Sequence, residues 1–401
     1  MDDARLTTLR DFYRSRLLDD CLPFWAKHGP DRQHGGFHTC LDREGRLYNT
    51  DKSVWFQGRA LWTFSRMCRA YGERPEWREA ADLSRRFLMD HCFDDDGRMF
   101  FTVTTDGRPL QKRRYLYSES FAVVGNAEYV HAFGDREALD DARRVYATML
   151  DLYAHPEKSP AKIDPRTRRT RGLAVPMILL ATTQTLREAS PAPERGRYDN
   201  LAAGFATTVL NDFWKPEEHA MHEVVGPDGE RLDSPQGRSV NPGHAIETSW
   251  FLLHEAEAQG REDWKKAALQ VLDDSLAWGW DEAHGGLLSF IDVEGRPPEP
   301  LEWDMKMWWP HTEALYATML AYLTTGDEKY LAWFDKVHDY FFSHFPDREF
   351  GEFYGYLHRD GTPSTTLKGS MWKGPFHVPR ALHLVEARLS VHLAKAGGAS
   401  K

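Results

Sequence analysis

Apolar residues recur every three to four positions in paired stretches, as in 116–133 followed by 136–153 and 243–259 followed by 262–278, which is the period of helices that bury one face. Between the pairs lie short alternating runs that turn at a glycine preceded by an acidic residue. These are GGFHTCLDREGRLY (35–48), FDDDGRMFFTVTTDGRPL (93–110), HAMHEVVGPDGERL (219–232), GGLLSFIDVEGRPP (285–298) and GEFYGYLHRDGTP (351–363). Each predicts a β-hairpin with its turn at the acidic–Gly pair. The turn glycines Gly45, Gly107, Gly229, Gly295 and Gly361 lie about 60 residues apart, or about twice that across one gap, which is the spacing of a repeat unit. The missing hairpin falls near 160–170, where an irregular basic loop stands instead. With the N-terminal helix counted first and 375–395 last, the pattern gives six helix pairs, about twelve helices. The expectation is an all-α fold: one domain over 1–401, an (α/α)6 barrel with short β-hairpins in the loops at one end. An open helical solenoid is the alternative, but neither end carries the polar capping repeat that a solenoid needs.

Charge and composition narrow the function. The chain has 401 residues, and 51 Lys and Arg against 61 Asp and Glu give a net charge of −10. No basic cluster is interleaved with aromatics, so nucleic acid is not an expected partner. The one basic stretch, KIDPRTRRTR (162–171), reads as a solvated loop. The N-terminal segment places Leu6, Leu9, Phe12, Tyr13 and Leu17 at helical spacing among charges, an amphipathic helix without a signal-peptide core. LAVPMILLA (173–181) is interrupted by Pro176 and is too short to span a bilayer. A soluble cytoplasmic protein with no membrane partner is expected. Cys21, Cys40, Cys68 and Cys92 are scattered without a CxxC pair, so buried free thiols are expected, not a zinc site or disulfides. GxSxG, P-loop, HExxH and dinucleotide fingerprints are all absent, and the 18 histidines show no compact ligand spacing, so no metal is read.

The unusual residues gather near helix starts that follow a long loop: Arg59, Glu119 and Met177, then His244 with Glu247, Trp308 and Trp309 with Glu313, and His377 with Arg380. If these open the inner helices of a barrel, their N-termini face one end and line one pocket, made electropositive by the helix dipoles. His244, in NPGHAIETSW (241–250), has Glu247 one turn on, where a carboxylate could hold one imidazole nitrogen and free the other. His377, in WKGPFHVPRAL (372–382), opens a helix in the same way. Two imidazoles placed alike suggest a proton-transfer pair. A helix cap or a satisfied core group is the plainer reading of each histidine, core packing that of the tryptophans, and an ion pair that of Arg59. The sharper readings are a sugar platform for Trp308 and Trp309, and oxyanion stabilisation for Arg59.

Six segments carry a family resemblance: DKSVWFQGRALWTF (51–64), RGLAVPMILL (171–180), NPGHAIETSWFLL (241–253), LEWDMKMWWPHTEAL (301–315), and GEFYGYLHRDG with KGPFHVPRAL (351–361 and 373–382). In these the chain resembles the N-acylglucosamine 2-epimerase family, which also includes renin-binding protein. The resemblance implies an (α/α)6 barrel and interconversion of N-acetylglucosamine and N-acetylmannosamine. It also implies His244 and His377 as the acid/base pair, with Arg59, Glu247, Trp308, Trp309, Glu313 and Arg380 contacting the sugar. No cofactor is required for that chemistry, although mammalian members suggest ATP as an activator, and a homodimer is the family's expectation. Relatives with this barrel act on free sugars as epimerases or aldose–ketose isomerases, and the barrel also carries glycoside hydrolases. A non-catalytic interaction protein is the remaining alternative.

Overall fold

The computed structural model describes residues 3–113, 115–161 and 163–398, with the side chains of 396–398 excepted. Lys162, the first residue of the basic stretch, therefore lies outside the described residues. The chain begins with α1 (Asp3–Ser15), a π-helical segment (Arg16–Cys21) and α2 (Leu22–His28) in unbroken succession. Pro23 has no N–H to give to the preceding turn, and the backbone widens just ahead of it. Five helix pairs follow: α3 (Val54–Tyr71) with α4 (Pro75–His91), α5 (Tyr117–Phe133) with α6 (Arg136–Ala154), α7 (Ala174–Ala189) with α8 (Arg195–Thr208), α9 (Pro242–Gln259) with α10 (Glu262–Gly279), and α11 (Trp308–Thr325) with α12 (Glu328–His344). The last helix is α13 (His377–Gly398), and it packs against α1 to complete the sixth pair.

Two kinds of helix result from two kinds of sequence. In α3, α5, α9 and α11 nearly every residue is buried, from Val54 to Cys68 or from Pro310 to Ala321 for example, so these helices are enclosed on all sides. Their partners α4, α6, α10 and α12 bury one stripe and show charges on the other face. The six inner helices α3, α5, α7, α9, α11 and α13 pack in succession. The ring closes where Tyr71 of α3 donates to Glu386 of α13 at 3.0 Å and its hydroxyl meets His383 Nδ1 at 3.0 Å. The result is an (α/α)6 barrel with the main hydrophobic core between the two rings.

The inner helices all start at the same end, where the long loops carry short strands: β1 (Cys40–Leu41), β2 (Leu47–Asn49), β3 (Lys52–Ser53), β4 (Thr102–Val103), β5 (Pro109–Gln111), β6 (Arg171–Gly172), β7 (Trp214–Lys215), β8 (Ala220–Met221), β9 (Val224–Val225), β10 (Ser239–Val240), β11 (Ile291–Asp292), β12 (Lys306–Met307), β13 (Tyr356–Leu357) and β14 (Pro363–Thr365). All five turn glycines adopt positive φ, and each closes the expected tight turn. At Gly45, Gly107 and Gly361 the turn joins a closed antiparallel hairpin, β1–β2, β4–β5 and β13–β14. At Gly229 and Gly295 the turn forms but no second strand follows. Pro297 and Pro298 offer no N–H after Gly295, and β9 is already paired with β6.

Strand pairs also run between neighbouring loops, as β3–β4, β6–β9, β10–β11 and β12–β13, all antiparallel. The last loop meets the first through backbone bonds from Lys368 and Gly369 to Leu41. Three buried ion pairs fasten the same rim: Lys52 to Asp31 at 2.8 Å, Lys306 to Asp281 at 3.0 Å and Lys368 to Asp347 at 3.0 Å. Each aspartate also accepts a backbone N–H near the start of its loop, so the lysine ties the start of that loop to its later part. Cys21, Cys40, Cys68 and Cys92 are all free and buried, as their scatter suggests. No helix among the described residues is long and apolar enough to cross a membrane.

Candidate active site

Inside the ring, beneath the loops, lies a cavity of about 400 Å³ to which the starts of all six inner helices contribute. His244 sits in the first turn of α9, where the Asn241 side chain caps the helix by accepting from the His244 N–H at 3.0 Å. His377 is the first residue of α13. α11 stands between these two helices in the ring and sends Trp309 to both imidazoles, with ring centroids 5.0 Å from His244 and 6.0 Å from His377. Gly243 makes that possible, since a Cβ there would stand 2.6 Å from the Trp309 ring.

Each imidazole is held through Nδ1 by a carboxylate. His377 Nδ1 lies 2.8 Å from Glu313, and His244 Nδ1 lies 3.0 Å from Glu223. A carboxylate can only accept, so Nδ1 carries the proton in both neutral rings and Nε2 keeps its lone pair on the cavity side. The expected partner of His244 was Glu247, one helical turn on. That expectation fails, because Glu247 bonds Arg380 at 2.5 Å instead. The carboxylate that holds His244 comes from the rim, between β8 and β9, where Glu223 follows His222.

The surroundings move the two imidazoles in opposite directions. At His377, burial lowers the proton affinity well below the ordinary value, and the nearby Arg380 and Arg59 cations push the same way. At His244, burial also opposes the charge, but the Glu223 carboxylate, with Glu247 beyond it, outweighs burial and raises the affinity. Glu313 is the hub under His377. It also accepts from Arg380 at 2.7 Å and from Trp250 Nε1 at 2.9 Å. It is 2% exposed and does not reach the cavity surface, so the expected sugar contact gives way to a role in holding His377 and Arg380.

Glu247, Glu313 and His377 bring their ligand atoms within 4.8 Å of one another, close enough to hold a metal ion. The donors do not fit that use. The Arg380 guanidinium already bonds both carboxylates and is the cation of this cluster. Arg59, in the second turn of α3, lies over the Phe121 ring at 4.3 Å and gives one N–H to the Trp372 carbonyl at 2.9 Å. Its Nε is buried without a partner among the described residues, and burial first, then Arg380, lowers its proton affinity to about 10, which still leaves it charged at neutral pH. Trp308 likewise lines the cavity, 3% exposed, with Nε1 unpartnered among the described residues. Arg59 and Trp308 thus bring a guanidinium and an indole N–H to the cavity wall.

Of the other residues near inner-helix starts, Met177 lines the cavity. Glu119 does not: it accepts from Arg98 at 2.6 Å and from the Met99 N–H at 3.1 Å, and holds a loop in place. The sequence reading missed Glu223, Trp250 and the aromatic residues at the mouth, Trp55, Tyr117 and Trp372.

The N-acylglucosamine 2-epimerase (GlcNAc 2-epimerase) family model matches residues 35–378. The chain belongs to the N-acylglucosamine 2-epimerase family. Membership places it among the carbohydrate epimerases, a class of isomerases. It is 37% identical over 398 residues to the N-acylglucosamine 2-epimerase of Bos taurus, covering 96% of this chain and 92% of the relative. Among solved structures, the cellobiose 2-epimerase of Bacillus thermoamylovorans superposes with a TM-score of 0.83 at 22% identity, covering 95% of this chain and 99% of that one. A D-mannose isomerase superposes with a TM-score of 0.81 at 18% identity, covering 94% and 97%. These two likenesses establish the barrel.

Proposed function

We propose that this chain interconverts N-acetylglucosamine and N-acetylmannosamine by moving a proton on and off C2 between His377 and His244. The observation that carries the reading is the pair of imidazoles on one cavity, each with Nδ1 fixed by a glutamate and Nε2 free. The sugar opens to its aldehyde, which makes the C2 proton acidic. His377, kept neutral by burial and by Arg380, takes that proton through Nε2. The charge that develops on O1 meets the Arg59 guanidinium, which lines the cavity, and the converging helix N-termini. His244, biased toward the protonated form by Glu223, returns a proton to the opposite face, and C2 is inverted. The reverse reaction uses the other protonation arrangement of the same pair.

Arg380 supports this chemistry from below by pairing with Glu313 and Glu247, and its charge together with burial outweighs the pull of Glu247 on His377. That pairing also counts against a glycoside hydrolase, which needs one carboxyl as acid and another as base or nucleophile at the scissile bond. The basis for the substrate is the identity to the bovine relative along nearly the whole chain. A free 2-hydroxy sugar could use the same two imidazoles, and a proton returned to C1 would then give a ketose.

The test is incubation with N-acetylmannosamine, mannose and glucose separately in deuterated water, with deuterium at C2 and product identity read by NMR. Deuterium at C2 of both N-acetyl epimers is the expected result. Turnover of mannose alone would replace the reading with a free-sugar enzyme, and no exchange with any of the three would end it.

A further inference from the structure

Three of the rim loops open with the same turn. In each, an aspartate N–H is accepted by the carbonyl five residues on: Asp31 by Gly36 at 2.9 Å, Asp281 by Gly286 at 2.9 Å and Asp347 by Glu352 at 3.0 Å. The accepting residue is left-handed every time, with φ of 76°, 72° and 60°. Glycine takes that conformation freely, whereas a glutamate there is strained. Among the described residues, His219 alone shares a positive φ without being glycine.

The next N–H along each turn shows what the glutamate supplies. The Phe37 N–H is accepted by the Gln57 side chain of α3 at 2.7 Å, and the Leu287 N–H by His311 Nε2 of α11 at 2.9 Å. Gln57 and His311 each stand five residues after the lysine that precedes their helix, Lys52 and Lys306. Five residues after Lys373 comes Val378, on α13, and its side chain has no acceptor. The third turn therefore provides its own, and the Glu352 carboxylate accepts the Phe353 N–H at 2.6 Å.

That carboxylate also reaches forward to α13. Its Oε2 accepts from Lys373 Nζ at 2.6 Å and its Oε1 from Trp25 Nε1 at 3.2 Å, and both charged groups are buried. Lys373 gives a further N–H to the Lys368 carbonyl at 3.0 Å. Gly355 leaves room for its stem, since a Cβ there would stand 2.4 Å from Lys373 Cδ. Lys373 stands four residues before His377. On one side of the intervening segment, α3 holds it: Arg59 donates to the Trp372 carbonyl at 2.9 Å, and the Thr63 hydroxyl to the Pro375 carbonyl. On the other side the hold is Lys373 on Glu352. Neither residue of that ion pair lines the cavity.

We propose that Glu352 and Lys373 are positioning residues for the C2 proton transfer, a buried pair that fixes where α13 begins and so where His377 Nε2 stands against the sugar. This rests on the two-histidine reaction proposed above. The strained backbone at Glu352 is retained because a glycine, which serves the other two turns, would leave Lys373 without its anchor.

Glu352→Gly restores the glycine of the other turns and removes the carboxylate. Glu352→Gly combined with Lys373→Met leaves no unpaired buried charge, and it carries the test if the single variant does not fold. Both variants, the wild type and His377→Asn are incubated with N-acetylglucosamine and N-acetylmannosamine separately in deuterated water. NMR reads exchange and inversion at C2, and melting curves read folding. The expected result is a selective loss. Exchange of the epimer that His377→Asn no longer exchanges should fall about 10- to 100-fold, and inversion with it. Exchange of the other epimer, served by His244, should change far less. Where both variants fold, they should lose the same amount, because the pair acts as a unit. A merely structural pair would lower the melting temperature and leave the ratio of the two exchange rates at its wild-type value. That outcome, or an undiminished rate for both epimers in the folded double variant, would overturn the positioning role and leave the reaction standing. A wild type that exchanges neither epimer would end the reaction itself, and the role with it.

Discussion

The start of α9 and the start of α13 look interchangeable: each opens a helix with a histidine in its first turn, faces the same cavity and holds Nδ1 against a glutamate. Their neighbours differ. Glu223 at His244 reaches in from the rim, and Glu247 adds negative charge beyond it. Glu313 at His377 is bonded to Arg380, and Arg59 stands nearby, so the net influence there is positive. One imidazole is thereby biased toward holding a proton and the other toward lacking one. A matched pair of bases would leave half of the enzyme with both charged or both neutral at the pH of their shared affinity. Splitting them keeps one acid and one base across a span of pH around neutrality.

The most severe way to break this pairing is to remove one imidazole. His244→Asn and His377→Asn should each lower kcat by about 10²- to 10⁴-fold. Each should still exchange the C2 proton of one epimer without inverting it, and the two variants should exchange opposite epimers. Exchange of the same epimer by both would show that the histidines do not serve opposite faces. Replacing Arg380 by Met strips the positive side of the comparison. It leaves Glu247 and Glu313 buried without their cation, and stability should fall by about 3–5 kcal/mol in denaturant unfolding.

Gly243→Ala tests the spacing between the two sites. Its Cβ would meet the Trp309 ring, and the overpacking should cost about 1–3 kcal/mol, with kcat reduced more than KM is raised. Glu223→Gln sharpens the comparison with the smallest change. In the wild type the acid limb of kcat/KM reflects His377, which must be neutral, and lies below pH 6.5. The alkaline limb reflects His244, which must be protonated, and lies above it. Without the Glu223 charge His244 binds its proton less tightly, so the alkaline limb moves to lower pH. At a pH above the wild-type alkaline limb the activity should fall about tenfold for every pH unit by which that limb moves. An unmoved alkaline limb would show that His244 is not the acid.

The barrel was legible in the sequence because helix period and turn glycines are local signals, and both survive folding. The two histidines were legible because each stands beside a helix start marked by glycine and proline. Their carboxylate partners were not. Glu223 lies 21 residues before His244 on a rim loop, and Glu313 lies 64 residues before His377 on another helix. The helical i, i+3 rule pointed at Glu247, which does share a face with His244, but a guanidinium 133 residues away is a stronger partner for it. The strands of the rim are two or three residues long, too short for alternation to say whether they pair within a loop or with the next one.

Those strand pairs turn six loops into something close to a hoop. Ladders join loop one to two, three to four, four to five and five to six, and backbone bonds return from six to one. Among the described residues no ladder joins the loop before α5 to the loop before α7, and the Arg98 guanidinium reaches the Ser159 hydroxyl across that seam at 3.4 Å. Backbone amides flanking the α5–α7 seam should therefore exchange with solvent sooner than their counterparts elsewhere on the rim, which hydrogen-exchange measurements can check.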